Sequence, residues 1–132
     1  MSQQTAQATK PIFDKQDQWN RIVPFIIDGE TLAAVFDLKG GGTGFIGVTD
    51  QRIIFLDQAF ISKKKAMVSI PYHQIIAVAS ANEGVVFTSS EITLLTAAGK
   101  FEFDFRGGDK AHWCYRYIMG QLLNQANPQL KG

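Results

Sequence analysis

The sequence predicts a mainly β fold: a small barrel of about seven short antiparallel strands, capped by a C-terminal α-helix and preceded by a short N-terminal helix. Three stretches carry this prediction. Residues 45–56, FIGVTDQRIIFL, read as a strand, a polar break at Asp50-Gln51 and a second strand that is apolar on both faces. In residues 100–106, Phe101, Phe103 and Phe105 alternate with Glu102, Asp104 and Arg106, so one face is aromatic and the other charged. From residue 110 to about 126, Ala111, Cys114, Ile118 and Leu122 recur at helical spacing, widened by Tyr115, Met119 and Leu123.

The remaining elements fill in around these. Residues 1–10 are polar and read as a disordered tail, 11–126 as one domain, and 127–132 as a C-terminal tail. Trp19, Ile22, Val23, Phe25 and Ile26 follow helical spacing, but Pro24 ends the helix near Val23. Asp14 or Asp17 is the expected N-cap. Asp28-Gly29-Glu30 signals a turn. Residues 31–39 form a strand with Leu32, Ala34 and Phe36 on one face and Ala33 and Val35 on the other. Residues 57–62 read as a turn region carrying Phe60 and Ile61. A strand then opens at Lys63 and stops at Pro71, which cannot donate to a ladder. Residues 72–74 turn, and residues 75–80 make another strand. Ala81 to Gly84 bend, Val85 to Phe87 form a short extended piece, and Thr88 to Ser90 form a loop. Residues 91–96 pair with 100–106 across a tight turn ending at Gly99, and Asp109 is the expected cap of the last helix.

Composition narrows the function classes. The chain has 132 residues, 45% hydrophobic and 19% charged, with ten Phe, so it can build an aromatic-rich core. A net charge of +1 argues against nucleic-acid binding through an overall field. The single cysteine, Cys114, allows no internal disulfide, which suits a cytoplasmic setting. The N-terminus lacks an apolar signal region, and no apolar run approaches the roughly 18 residues that span a bilayer, so any membrane contact is peripheral.

GVTDQRIIFLD at residues 47–57, IPYHQI at 70–75, EITLLTAAGKFEF at 91–103 and the closing helix occur in this order. Together they resemble the bacterial pleckstrin-homology-like domains, especially the YokE-like group, over roughly residues 29–123. The resemblance implies a PH-like small barrel of the PH/GRAM type. It also implies a binding module for lipids, peptides or partner proteins, and it brings no catalytic residue.

The remaining constellations point the same way. The glycine-rich loop GGGTG at 40–44 lacks the Gly-Lys-Ser/Thr ending of a phosphate loop and precedes a strand, so it reads as a hairpin loop. In eukaryotic-type PH domains the corresponding loop holds inositol phosphates between basic residues, and only Lys39 and Arg52 stand near it here. Lys63, Lys64 and Lys65 form the one dense charge run. They read as solvated edge lysines or, with Phe60 and Ile61 beside them, as a contact for anionic lipid. His73 and His112 belong to no metal-spaced cluster, Cys114 sits on a core stripe, and no G-x-S-x-G motif occurs. No cofactor, metal or nucleic acid is expected. Scattered acids, Glu30 and Asp50 among them, suit caps and solvation. Trp113 and Tyr117 read as core or as an aromatic anchor, and Trp19 and Phe25 join them as candidate partner contacts. The expected function is non-catalytic: protein–protein interaction or self-association, with peripheral binding to anionic membrane lipids through residues 60–65 as the alternative. The two-faced hairpin needs a cover on its outer face, from the N-terminal helix or from a second subunit.

Overall fold

The computed structural model describes residues 12–39, 43–61, 64–80 and 90–126. The expected tails at 1–10 and 127–132, the loop residues 40–42, the features expected at 81–89, and Lys63 lie outside the described residues. So do the side chains of Phe60, Ile61, Lys64 and Lys65.

In chain order the elements are β1 (Ile12–Phe13), α1 (Gln16–Ile22), a 3-10 turn (Val23–Phe25), β2 (Leu32–Lys39), β3 (Thr43–Thr49), β4 (Arg52–Ile61) and β5 (Lys64–Pro71). A second 3-10 turn (Tyr72–Gln74), β6 (Ile75–Ser80), β7 (Glu91–Thr96), β8 (Gly99–Phe105) and α2 (Gly108–Ala126) complete the chain. The sheet order is β5-β4-β3-β2-β8-β7-β6, antiparallel throughout, with β1 added to β2 in parallel. β2 belongs to both halves. Its earlier residues pair with β3, while Leu38 and Lys39 pair with Phe105 and Asp104 of β8. Among the described residues no pairing joins β5 to β6, so the sheet is not closed there.

Alternation along β2, β3 and β4 sends side chains into two cores. Ala34, Phe36, Ile46, Val48, Ile53 and Phe55 face the inner core, with Phe103 and Phe105 of β8 and Ala111, Cys114 and Ile118 of α2. The aromatic strand behaves as predicted: Phe103 meets Phe55 edge-on at 5.0 Å, and Phe105 meets Phe36 edge-on at 5.9 Å. The intervening residues Val35, Phe45, Ile54 and Leu56 face outward. There Ile22 of α1, fully buried, packs on them with Phe13, Trp19, Ile26 and Leu32 around it. The outer face is thus covered by this chain's own N-terminal segment. Burying a side chain the size of Ile22 is worth about 1.5–3 kcal/mol, which is what holds so short a helix in place.

Four expectations are corrected. Leu32 does not share a face with Ala34 and Phe36, because a register shift between Leu32 and Ala34 turns it to the outer core. Residues 57–61 are strand rather than turn, since β4 continues to Ile61. Helix α1 starts after Lys15 with no side-chain cap; Asp14 instead accepts the Asp37 N–H and pairs with Lys110. Asp109 lies inside the first turn of α2, where its charge favours the helix N-terminus without being the cap.

Gly47 makes the outer core possible. A Cβ at this position would stand 2.5 Å from Ile22 Cδ1 and 3.3 Å from Ile22 Cγ2. Replacing Gly47 by Ala should therefore cost about 1–3 kcal/mol in denaturant unfolding, and Ile22→Ala about 2–4 kcal/mol. The double variant should cost clearly less than the two added, because the truncated Ile22 no longer meets the new methyl. Strict additivity would show that the two residues do not share this contact.

Candidate functional site

The end of the sheet formed by the β3–β4 turn is a polar knot. Its first strand of support is the turn before β2. The Glu30 N–H closes on the Ile27 carbonyl at 2.9 Å, and Gly29 takes φ 90°, the positive value that a type II turn needs at its third position. This turn aims Glu30 at Arg52, the first residue of β4. Glu30 accepts from Arg52 Nε at 2.8 Å and Nη2 at 2.9 Å, a bidentate pair whose carboxylate side chain is only 4% exposed. It also accepts from the Thr49 hydroxyl at 2.7 Å and the Ile27 N–H at 3.1 Å. The rest of the guanidinium is engaged as well, with Nη2 donating to the Phe25 carbonyl at 2.6 Å and Nη1 to Ser69 at 3.1 Å.

Thr49 and Asp50 complete the knot. The buried Thr49 hydroxyl accepts the Gln51 and Arg52 N–H groups at 2.9 Å each and so holds the β3–β4 turn. Asp50 Oδ1 accepts the Thr31 N–H at 2.9 Å, and Tyr72 donates its hydroxyl to the Thr49 carbonyl at 2.6 Å. Three stretches of chain, residues 25–31, 49–52 and 69–72, meet at this one place.

Beside the knot runs a groove of about 1170 Å³. It is lined by Ile27, Asp28, Gly29 and Glu30 before β2, by Asp50, Gln51 and Arg52 at the β3–β4 turn, by Ser69, Pro71 and His73, and by Gln121, Asn124 and Gln125 near the end of α2. Val23, Phe25 and Ile27, on the segment between α1 and β2, are 45%, 49% and 65% exposed.

The titratable groups that move, move away from neutrality. The Arg52 contacts, helped by Thr49 and the Ile27 N–H, outweigh burial and bring Glu30 from 4.5 to about 2. Burial pushes the Tyr72 hydroxyl and the Cys114 thiol up, and Tyr117 to about 12. Asp37 forms a second buried polar centre. Burial raises its pKa, but bonds from Gln18 at 2.7 Å and Arg106 at 2.6 Å, with Lys15 nearby, leave it lowered. None of these groups is set up for proton transfer near neutral pH.

The sequence-predicted site residues separate into groups. Arg52 is held by Glu30 at the β3–β4 turn. Lys39, paired with Asp104 at 3.8 Å, lies at the opposite end of the sheet, as does the β4–β5 hairpin tip where Ile61 pairs with Lys64. Trp113 and Tyr117 do come together, stacked at 5.1 Å, and Trp113 also meets Phe36 edge-on, so both pack half-buried on the inner core. Trp19 is half-buried beside Phe13, and Phe25 is exposed. Sequence reading missed Glu30, Thr49 and Asp50 as one network. The signal was the Thr49-x-x-Arg52 spacing across a turn, together with a turn-borne acid about twenty residues earlier.

Because Glu30 has a folded pKa below its ordinary 4.5, its pairing stabilises fully above that value. The stabilisation is lost as pH falls through 4.5 toward 2 and amounts to about 3 kcal/mol. Urea unfolding of wild type and Glu30→Gln across this window should show the wild type losing its advantage as pH drops. A constant difference between the two would mean that the carboxylate is not ionically bound.

A family model for the bacterial PH domain matches residues 2–120. The chain is 29% identical to the uncharacterized protein YozO of Bacillus subtilis over 85 residues, 64% of this chain and 72% of that protein. Its fold is similar to the crystal structure of a pleckstrin homology domain from Shewanella amazonensis, with TM-score 0.60 and 21% identity over 83% of this chain and 99% of that one. It is also similar to a DUF1696 family protein with a pleckstrin-homology domain from Shewanella loihica, with TM-score 0.61 and 19% identity over 83% and 94% of the two chains. With the ordered hairpins, the shared β2 strand and the capping C-terminal helix already in place, these matches settle the family: the chain belongs to the bacterial PH domain family.

Proposed function

We propose that the chain is a non-catalytic interaction module that binds a protein partner, either another protein or a second copy, at the groove end of the sheet. The observation that carries this reading is the exposed run Val23, Phe25 and Ile27 beside the groove. The outer core has already taken Ile22 and Ile26, so these three apolar side chains are surplus to packing. Membership in a family of PH-like domains supports a binding role.

Phe25→Asp with Ile27→Asp should weaken partner binding by about tenfold or more while leaving the unfolding midpoint close to wild type. The measurement is titration of each partner recovered on wild-type protein, then purified, against both forms. Sedimentation across the micromolar range tests the second-copy case in the same way. A partner that binds both forms equally, or no partner and a strict monomer, overturns the reading.

A second reading, contact with anionic membranes, is favoured by the β4–β5 hairpin, whose tip sequence joins Phe60 and Ile61 to Lys63, Lys64 and Lys65, with Lys39 at the same end of the sheet. Clustered lysines gain about 1 kcal/mol each near such a surface. Co-sedimentation with phosphatidylserine vesicles should exceed that with phosphatidylcholine vesicles and fall when Lys63, Lys64 and Lys65 become Glu. Equal sedimentation on both lipids removes this reading.

A further inference from the structure

The groove has a sign. Three carboxylates line it, those of Asp28, Glu30 and Asp50, against one guanidinium and the imidazole of His73. That guanidinium is held by Glu30 and by the Phe25 carbonyl, so it offers an incoming anion little. Asp50 spends one oxygen on the Thr31 N–H and keeps the other. The end of α2 adds to the same sign: Gln121, Asn124 and Gln125 line the groove, and the last turn carries no basic residue to offset the partial negative charge of a helix C-terminus. A phosphate, a nucleic acid or an acidic peptide would meet repulsion here.

The uncharged lining has a chemistry of its own. Gln51, Gln121, Asn124 and Gln125 each offer a carboxamide, which both donates and accepts as a peptide group does. Ile27 and Pro71 supply apolar edges, and the exposed Phe25 stands next along the chain. The groove is far larger than one cationic side chain needs, and its carboxamides match a run of peptide groups better than a lone amine.

We infer that the groove takes an extended basic segment of another protein, with a Lys or Arg side chain set against Asp28 and Asp50 and its backbone bonded to the carboxamides of the β3–β4 turn and α2. This rests on the interaction-module reading and names the partner's chemistry. Association of this kind is steered by charge and weakens with salt.

The test is an NMR titration of the full chain with a short peptide alternating lysine and threonine, at low salt. The expected result is saturable shifts of the amides at 27–30, 50–52 and 121–125. Affinity should fall about tenfold or more in the Asp28→Asn/Asp50→Asn variant and fall again on adding salt. Asn at position 50 retains an oxygen for the Thr31 N–H, so this variant keeps the turn; Asp28→Asn alone is the control should the pair unfold. Equal binding of the glutamate-for-lysine peptide overturns the inference, as does unchanged binding by the Asn variants or shifts confined to the opposite end of the sheet. Spermidine binding as tightly as the peptide overturns the polypeptide assignment. Salt-sensitive self-association lost in the Asn variants overturns it in favour of a second copy. A partner whose binding depends on Phe25 and Ile27, together with silence toward the lysine peptide, overturns this inference alone and leaves the interaction module standing.

Discussion

The bidentate pair between Glu30 and Arg52 is the contact on which one whole end of the sheet depends. It joins the turn before β2 to the first residue of β4, about twenty residues on, and both partners sit largely out of water. Such a pair gains little over an apolar one of the same shape, but losing one partner is expensive because the other is left buried and charged. Its value is therefore positional. The carboxylate has all its acceptor capacity used by Arg52, Thr49 and Ile27, and the guanidinium reaches on to Phe25 and Ser69. Pulling any one segment away strands polar groups belonging to several others.

The outer core obeys a different constraint, one of shape. A strand apolar on both faces must be covered twice, and here the second cover is a helix of seven residues, too short to persist alone. It persists because Ile22 enters the space that Gly47 leaves open, because β1 pairs with β2, and because Lys15 and Gln18 hold Asp37. The cover has a consequence for binding. Pro24 and the 3-10 turn end the helix just as it crosses the sheet, so the next apolar residues, Phe25 and Ile27, are carried past the core and out beside the groove. The same segment closes one face and presents another.

Much of this fold was legible in the sequence because period-2 and period-3.6 patterns report directly on burial. The Phe101–Phe103–Phe105 face, the Ala111–Cys114–Ile118 stripe and the two faces of residues 45–56 all lie where their spacing puts them. What failed was local. Leu32 changes face at a register shift that alternation cannot foresee, and β4 continues to Ile61 through residues whose polarity resembles a turn. The site was less legible still. Arg52 looks from sequence like a free cation near a hairpin loop, and Glu30 like a solvated turn acid. Only the pairing of chain segments about twenty residues apart reveals that each consumes the other. The choice between a helix and a second subunit as the outer cover was also open, since both supply the same apolar side chains.

Once Arg52 is assigned to Glu30, the acids left at the groove end are Asp28 and Asp50. Lys39, paired with Asp104, and the tip of the β4–β5 hairpin lie at one end of the sheet, and Asp28, Asp50 and the C-terminal end of α2 lie at the other. The net charge of +1, a sum over the whole chain, carries no trace of this placement. Interaction energy between exposed charges falls off within about 10 Å at ordinary salt, so a partner at either end feels that end alone rather than the sum. The hairpin turn from Thr49 through Arg52 thus acts first as architecture. With its arginine held by Glu30 from the turn before β2, it leaves Asp28 and Asp50 as the unpaired acids, among the described residues, lining the groove beside it.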